Sequence, residues 1–318
     1  MLKMYPSWML YFSMSWMGLL LLSSTSNWLM IWISLEMILM SFIPMFMTSS
    51  LTIEGMMKYF LIQASSSVLL LLSILMAMKK MSSILLMLSI IMKLGLFPFF
   101  QWMPAVMMTL SWPGCVLLST MQKISPIMLL SLMNLNKNTQ MLTISTATLS
   151  ILLSGMLGIN QTKLRTLMAY SSISHMGWIT AISMTSTKIT LMYMATYFTL
   201  TTLLFFSFHK NNMNKTPPNK QSNLIMSTET ATTMVALAGL PPLPLFWMKA
   251  LIFLSFSSLQ PLLYIMITGS VLSAFYYLSF TIPSLMMQKK SKNKNKQNIM
   301  YTLPLLTVMT MTALFSLL

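Results

Sequence analysis

Gly95-Leu96-Phe97-Pro98, with Pro104 after it, and Gly239-Leu240-Pro241-Pro242, with Pro244 after it, interrupt two long apolar runs, 82–112 and 223–258. As unbroken helices these runs would measure about 45 Å and about 54 Å at 1.5 Å per residue. Both exceed a hydrocarbon layer of about 30 Å. Proline lacks an amide donor and its ring collides with the carbonyl one turn back, so each run predicts a broken helix. At membrane depth irregular backbone is tolerated only inside protein or beside a water-filled cavity.

Outward from these breaks the chain is apolar from Trp8 to Leu318. Of 318 residues, 56% are hydrophobic and 7% charged, too little polar surface to clothe a water-soluble fold of this size. The reading is therefore all-α: a polytopic membrane protein forming one membrane domain over 1–318. Cut at charged or Asn/Ser-rich breaks, the sequence predicts eleven spans: 7–25, 28–48, 54–78, 82–98, 113–133, 139–158, 164–185, 188–209, 223–258, 261–285 and 299–318. The start imitates a signal peptide, but the full span that follows it argues against cleavage.

The broken helices are the fourth and the ninth spans. Two five-span units, about 7–133 and 139–285, would then carry their break in the same place, followed by a final helix at 299–318. Five being odd, the second unit would enter from the opposite side, which makes an inverted repeat and implies transport. Two unrelated proline kinks in a large bundle are the other reading.

The formal charge of +16 does not point to nucleic acid, because the basic residues lie in short loops or singly within apolar segments. Side A, holding the N-terminus, would carry Lys3, Lys163, Arg165, Lys210, Lys215, Lys220 and the cluster Lys289, Lys290, Lys292, Lys294 and Lys296, eleven in all, against four, Lys79, Lys80, Lys137 and Lys188, on side B. That bias puts the N-terminus in the matrix, or the cytoplasm of a bacterium, and the C-terminus opposite. The 289–296 cluster reads as a solvated loop, with a lipid- or partner-binding role indistinguishable in sequence. Methionine, at 40 copies, stands where leucine or isoleucine would serve, which suggests a mitochondrial code.

The single cysteine, Cys115, can form neither an internal disulfide nor a four-thiolate iron–sulfur cluster. His175 and His209 are 34 residues apart, aspartate is absent, and no Gly-rich phosphate loop occurs. No cofactor or metal is expected in this chain. The informative residues are the ionisable ones inside spans: Glu36, Lys93, Lys123, His175 and Lys249. Each costs roughly 2.5–3.5 kcal/mol to insert at mid-helix, which makes a proton or ion path the default hypothesis. Glu36 and Lys93 lie at similar depths and form a candidate switch, or else a static pair that fixes helix packing. Lys123, central in its span, has no acid nearby in sequence, and its amine can release a proton that a guanidinium would keep. His175 can pass a proton through its two ring nitrogens or serve as a hydrogen-bonded structural histidine. Glu54 and Lys58, four apart, read as an ordinary helix pair, and Glu229 as a complement to a helix N-terminus.

These segments resemble the subunit 2 family of animal mitochondrial NADH dehydrogenases, the antiporter-like membrane-arm subunits of respiratory complex I. The resemblance runs through Asn27-Trp28, Leu35-Glu36, Ser41 to Pro44, Glu54, Lys58 to Leu61 and Gln63. It continues through Lys93-Leu94-Gly95, Pro98-Phe99, Trp102, Gln122-Lys123-Ile124, Pro126, Gly158 to Thr162 and Leu164-Arg165. Ser171 to Ile173, His175 to Trp178, Gly239 to Pro242 and Lys249 complete it. It implies eleven helices and a hydrated chain of Glu36, Lys93, Lys123 and Lys249 that moves protons when quinone is reduced elsewhere, with Lys58 at a further polar position. It also implies that NAD, FMN, iron–sulfur clusters and ubiquinone belong to other subunits. The partners implied are those membrane-arm subunits and the lipid bilayer, cardiolipin included, in the mitochondrial inner membrane. Phe100 and Gln101 depart from the family, which has histidine and then an aromatic there, so no proton role passes to that turn. Subunits 4 and 5 share the Gly-Leu-Pro-Pro turn but are longer. A free-standing cation/proton antiporter and a membrane scaffold with static buried charges are the alternatives.

Overall fold

A computed structural model describes residues 6–46, 50–76, 81–133, 136–211, 228–241, 243–255 and 260–288. The span expected at 299–318, the 289–296 loop and Pro242 lie outside the described residues. Those described are helical, in thirteen pieces. Six segments are long and apolar enough to cross a membrane: Trp28–Met45, Thr52–Leu75, Trp112–Leu132, Lys137–Ile159, Thr187–Lys210 and Pro261–Pro283. The chain divides into two compact units, Met1–Ala147 and Thr148–Leu318.

The first unit holds α1 (Pro6–Ser24), α2 (Trp28–Phe46), α3 (Ser50–Leu75), α4 (Met81–Leu94), α5 (Trp102–Thr109), α6 (Trp112–Ser119) and α7 (Met121–Leu132). α1 and α2 pack as a hairpin, α3 lies against α2, α4 and α5, and α7 touches α1, α2, α4 and α6. Lipid supplies no hydrophobic drive between helices, so close backbone approach matters. Gly55 provides it between α3 and α5, where any Cβ would collide with the Thr109 side chain. The many serines survive at membrane depth because their hydroxyls bond back along their own helix, as in Ser34 to Ile31 (2.6 Å) and Ser66 to Gln63 (2.6 Å).

The break expected near Gly95 is present. Gly95 has φ +71°, the left-handed conformation that glycine adopts without steric cost. Its amide bonds Met92 O (3.2 Å) and the Leu96 amide bonds Ile91 O (3.1 Å), which closes the end of α4 as a Schellman motif. The helix resumes at Trp102. A second interruption was not legible in the sequence: the span expected over 113–133 is split at Thr120 (φ −112°, ψ −78°), between α6 and α7. Its threonine hydroxyl and amide both bond Val116 O, at 2.8 and 3.0 Å. Pro126 further on removes the amide that would bond Gln122 O, so this stretch lacks a full helical ladder.

α8 (Lys137–Ile159) crosses the division between the units. The second unit continues with α9 (Leu164–Ser183), α10 (Thr187–Lys210), α11 (Thr228–Ala238), α12 (Pro244–Ser255) and α13 (Gln260–Gln288). α10 packs on α9, α11 and α12, and α13 on α9 and α11. Gly155 of α8 meets α13 backbone to backbone: a Cβ there would sit 2.9 Å from Gly269 O. The second expected break separates α11 from α12, and Gly239 also has φ +71°. Here too the glycine amide bonds back three residues, to Ala236 O (3.2 Å), and the residue four beyond the glycine bonds the one after it, Leu243 to Leu240 O (2.8 Å). Phe99 to Leu96 O (2.8 Å) is the same bond at the first break.

Candidate functional site

Each unit gathers its own polar set. In the first, α2 supplies half-buried Glu36, α3 supplies Tyr59 and Gln63, α4 supplies Lys93 in its last turn, and α7 supplies Gln122 and Lys123. Tyr59, Gln63, Lys93 and Lys123 are all buried, Lys123 to 2% exposure. Lys93 and Tyr59 lie in the neighbourhood of Glu36. Among the described residues Glu36 makes no direct ion pair with Lys93, so the expected pair is not brought into contact. Tyr59 donates to Gln122 Oε1 (2.9 Å), and Gln122 donates to Ile38 O (3.4 Å), two residues from Glu36. Gln63 donates to Lys93 O (3.4 Å). Trp102, at the start of α5, donates to Met92 O (3.2 Å) and stacks near Tyr59, with centroids 5.7 Å apart, so the broken helix is clamped beside Lys93.

Lys123 stands apart from these bonds. Its Nζ is buried with no hydrogen-bond partner, three residues beyond the Thr120 interruption. A buried unpaired ammonium is among the most costly groups in a protein interior. Lys58 is placed differently: 53% exposed on α3, it forms an ion pair with Glu54 (2.6 Å), itself 61% exposed. The structure does not bring that pair into the buried set.

In the second unit Lys249 on α12 is buried and its Nζ lies 5.7 Å from the centre of the Trp178 ring on α9, a cation–π contact. It also lies beside the second break, since a Cβ on Gly239 would be 3.1 Å from that Nζ. His175 is buried one turn before Trp178 on α9. Its Nδ1 hydrogen-bonds the Tyr193 hydroxyl (3.0 Å), and its ring lies 4.9 Å from that of Tyr197. Glu229 falls in the first turn of α11. Among the described residues no group of His, Cys or Glu side chains is arranged to hold a metal, and Cys115 is buried.

Sequence reasoning on transfer cost identified Glu36, Lys93, Lys123, His175 and Lys249 because charge in an apolar run is conspicuous. It passed over Tyr59, Gln63, Gln122, Trp102 and Trp178 as site residues. Their family resemblance was the available signal, for uncharged side chains carry no comparable penalty.

Residues 76–276 match the family described as NADH:quinone oxidoreductase/Mrp antiporter, transmembrane. NADH-ubiquinone oxidoreductase chain 2 of Lumbricus terrestris is 36% identical over 307 residues, covering 92% of this chain and 91% of that protein. Among solved structures, a chain of respiratory complex I from Thermus thermophilus superposes with a TM-score of 0.79 at 20% identity, over 96% of this chain and 76% of that one. A chain of the membrane-bound sulfane sulfur reductase, an archaeal respiratory membrane complex, gives 0.81 at 17% identity, over 98% and 74%. Two respiratory complexes of different kinds thus share the fold, and full-length sequence similarity selects between their branches: this chain belongs to the NADH:quinone oxidoreductase/Mrp antiporter membrane family, in the branch of NADH-ubiquinone oxidoreductase chain 2.

Proposed function

We propose that this chain is a proton-translocating, non-redox membrane-arm subunit of an NADH:ubiquinone oxidoreductase in the mitochondrial inner membrane. It lies there as one membrane domain of eleven spans, with its N-terminus in the matrix and its C-terminus toward the intermembrane space. Glu36, Lys93 and Lys123 handle protons in the first unit, Lys249 and His175 in the second, with Lys58, outside the buried set, at a further polar position on α3. The enzyme's redox groups reside in other subunits, which together with lipid are this chain's partners. Two inverted repeats, 7–133 and 139–285, are supported by the matching turns at Gly95 and Gly239, each with a left-handed glycine and the same return hydrogen bonds.

The observation that carries the reading is Lys123. A lysine kept only to hold helices together has a partner, whereas this amine is buried with none, beside interrupted backbone. Interrupted backbone at membrane depth lies inside protein or beside a cavity that water can enter, and a buried amine without a protein partner favours the second. An amine that alternates between charged and neutral forms in contact with such water satisfies both observations. Glu36, near Lys93 without an ion pair to it, changes the field at that amine whenever the carboxyl itself exchanges a proton.

The test is proton translocation in vesicles containing the assembled enzyme with Lys123→Met or Glu36→Gln. Both substitutions keep volume and remove titration. Proton movement per NADH oxidised falls while the assembly persists on native gels. Normal stoichiometry in both variants would leave only the static scaffold, and a chain that purifies alone or as a small oligomer would favour the antiporter.

A further inference from the structure

The second unit keeps a buried lysine with no carboxylate near it. Its one acid, Glu229, lies in the first turn of α11, ten residues or about 15 Å of helix before Gly239. Lys249 is 6% exposed, and the end of its side chain lies against Gly239: a Cβ there would stand 3.1, 3.5 and 3.7 Å from Nζ, Cε and Cδ. Gly239 follows the last residue of α11, and a helix C-terminus carries partial negative charge on carbonyls that lack intrahelical donors. The ammonium also lies over the Trp178 ring, 5.7 Å from its centre. Trp178 is 1% exposed and stands perpendicular to Phe253, at 89° with centroids 5.8 Å apart. Phe253 follows Lys249 by one turn of α12, so one indole meets both side chains.

We propose that Trp178 is a positioning residue for Lys249, holding its ammonium at the end of α11 through the ring face, where the first unit has the Glu36 carboxylate near Lys93. The proposal rests on the proton-handling reading of Lys249 above. The two devices differ in one respect. A carboxylate loses its charge when it takes a proton, whereas the quadrupole of the ring is fixed. The ring attracts an ammonium and has no comparable hold on a neutral amine. Proton loss therefore releases the end of Lys249 from Trp178, and proton gain reseats it in the same place. Glycine at 239 serves this seat twice, through its φ of +71° and through the space that the ammonium occupies.

Trp178→Phe and Trp178→Met separate the ring face from packing. Both replace the indole by a smaller apolar side chain of similar bulk, but only phenylalanine keeps a face for the cation. In vesicles holding the assembled enzyme, NADH-driven proton translocation should be about threefold or more lower in Trp178→Met than in Trp178→Phe, since a desolvated cation–ring contact biases an equilibrium by up to about thirtyfold. Equal translocation in the two variants overturns the proposal, whether both are normal or both impaired. If Trp178→Met does not assemble, the decision passes to the melting midpoint of Trp178→Phe with and without Lys249→Met. A larger fall with the lysine present supports the ring contact, and equal falls overturn it. Lys249→Met by itself keeps the two ideas apart: lost translocation there with equal Trp178 variants removes the positioning role alone, and normal translocation removes the proton-handling reading of Lys249.

Discussion

Replacing Lys123 by methionine should stiffen the protein as it silences it. The Nζ is buried, the residue is 2% exposed, and no acceptor meets it. Charged lysine at mid-helix costs roughly 2.5–3.5 kcal/mol, and removing a buried unsatisfied polar group recovers about 1–3 kcal/mol. Methionine fills nearly the same volume and adds no polar atom, so the gain should not be spent on a cavity. A net stabilisation of about 1–3 kcal/mol corresponds to a rise of roughly 2–6 °C in melting midpoint for a chain of this size. The measurement is a thermal melt of the purified assembly, followed by protease sensitivity of this chain. A fall of the midpoint equivalent to about 3–5 kcal/mol, the signature of breaking a buried ion pair, would mean that Lys123 holds a static partner. That outcome refutes the proton-handling argument even if translocation also fails.

Three further outcomes are expected. Gly155→Ala places a Cβ 2.9 Å from Gly269 O and 3.0 Å from Leu272 Cβ; neither can move without parting α8 from α13, so overpacking should cost about 1–3 kcal/mol, seen as a lower melting midpoint. Gly95→Ala and Gly239→Ala both pay roughly 1–2 kcal/mol for a left-handed non-glycine residue. Gly95→Ala should nonetheless melt lower, because its Cβ meets the rigid Trp102 ring at 3.1 Å whereas that of Gly239 meets the mobile end of Lys249 at 3.1 Å; equal midpoints would contradict the steric argument. In right-side-out mitoplasts an external protease should spare the 289–296 loop, and cleavage there would reverse the assigned orientation.

The composition and spacing of the chain alone determined that it is helical and lives in lipid, where its helices break, and which charged residues lie within apolar segments. These features are local: hydropathy sums along the chain, and proline or left-handed glycine acts on its own turn. Glu36, Lys93, Lys123, His175 and Lys249 were legible for that reason, as were the interruptions at Gly95 and Gly239. The split at Thr120 was not, for no glycine marks it and its threonine suits a helix as well as a turn. Only the tertiary structure decided that Lys123 is without a partner, that Lys58 turns outward to Glu54, that Lys249 faces Trp178, and that Tyr193 and Tyr197 meet His175. Such pairings depend on the rotation and tilt of each helix against its neighbours. In lipid those are set by small-residue contacts such as Gly155 on Gly269, and no periodicity along one chain encodes which faces meet.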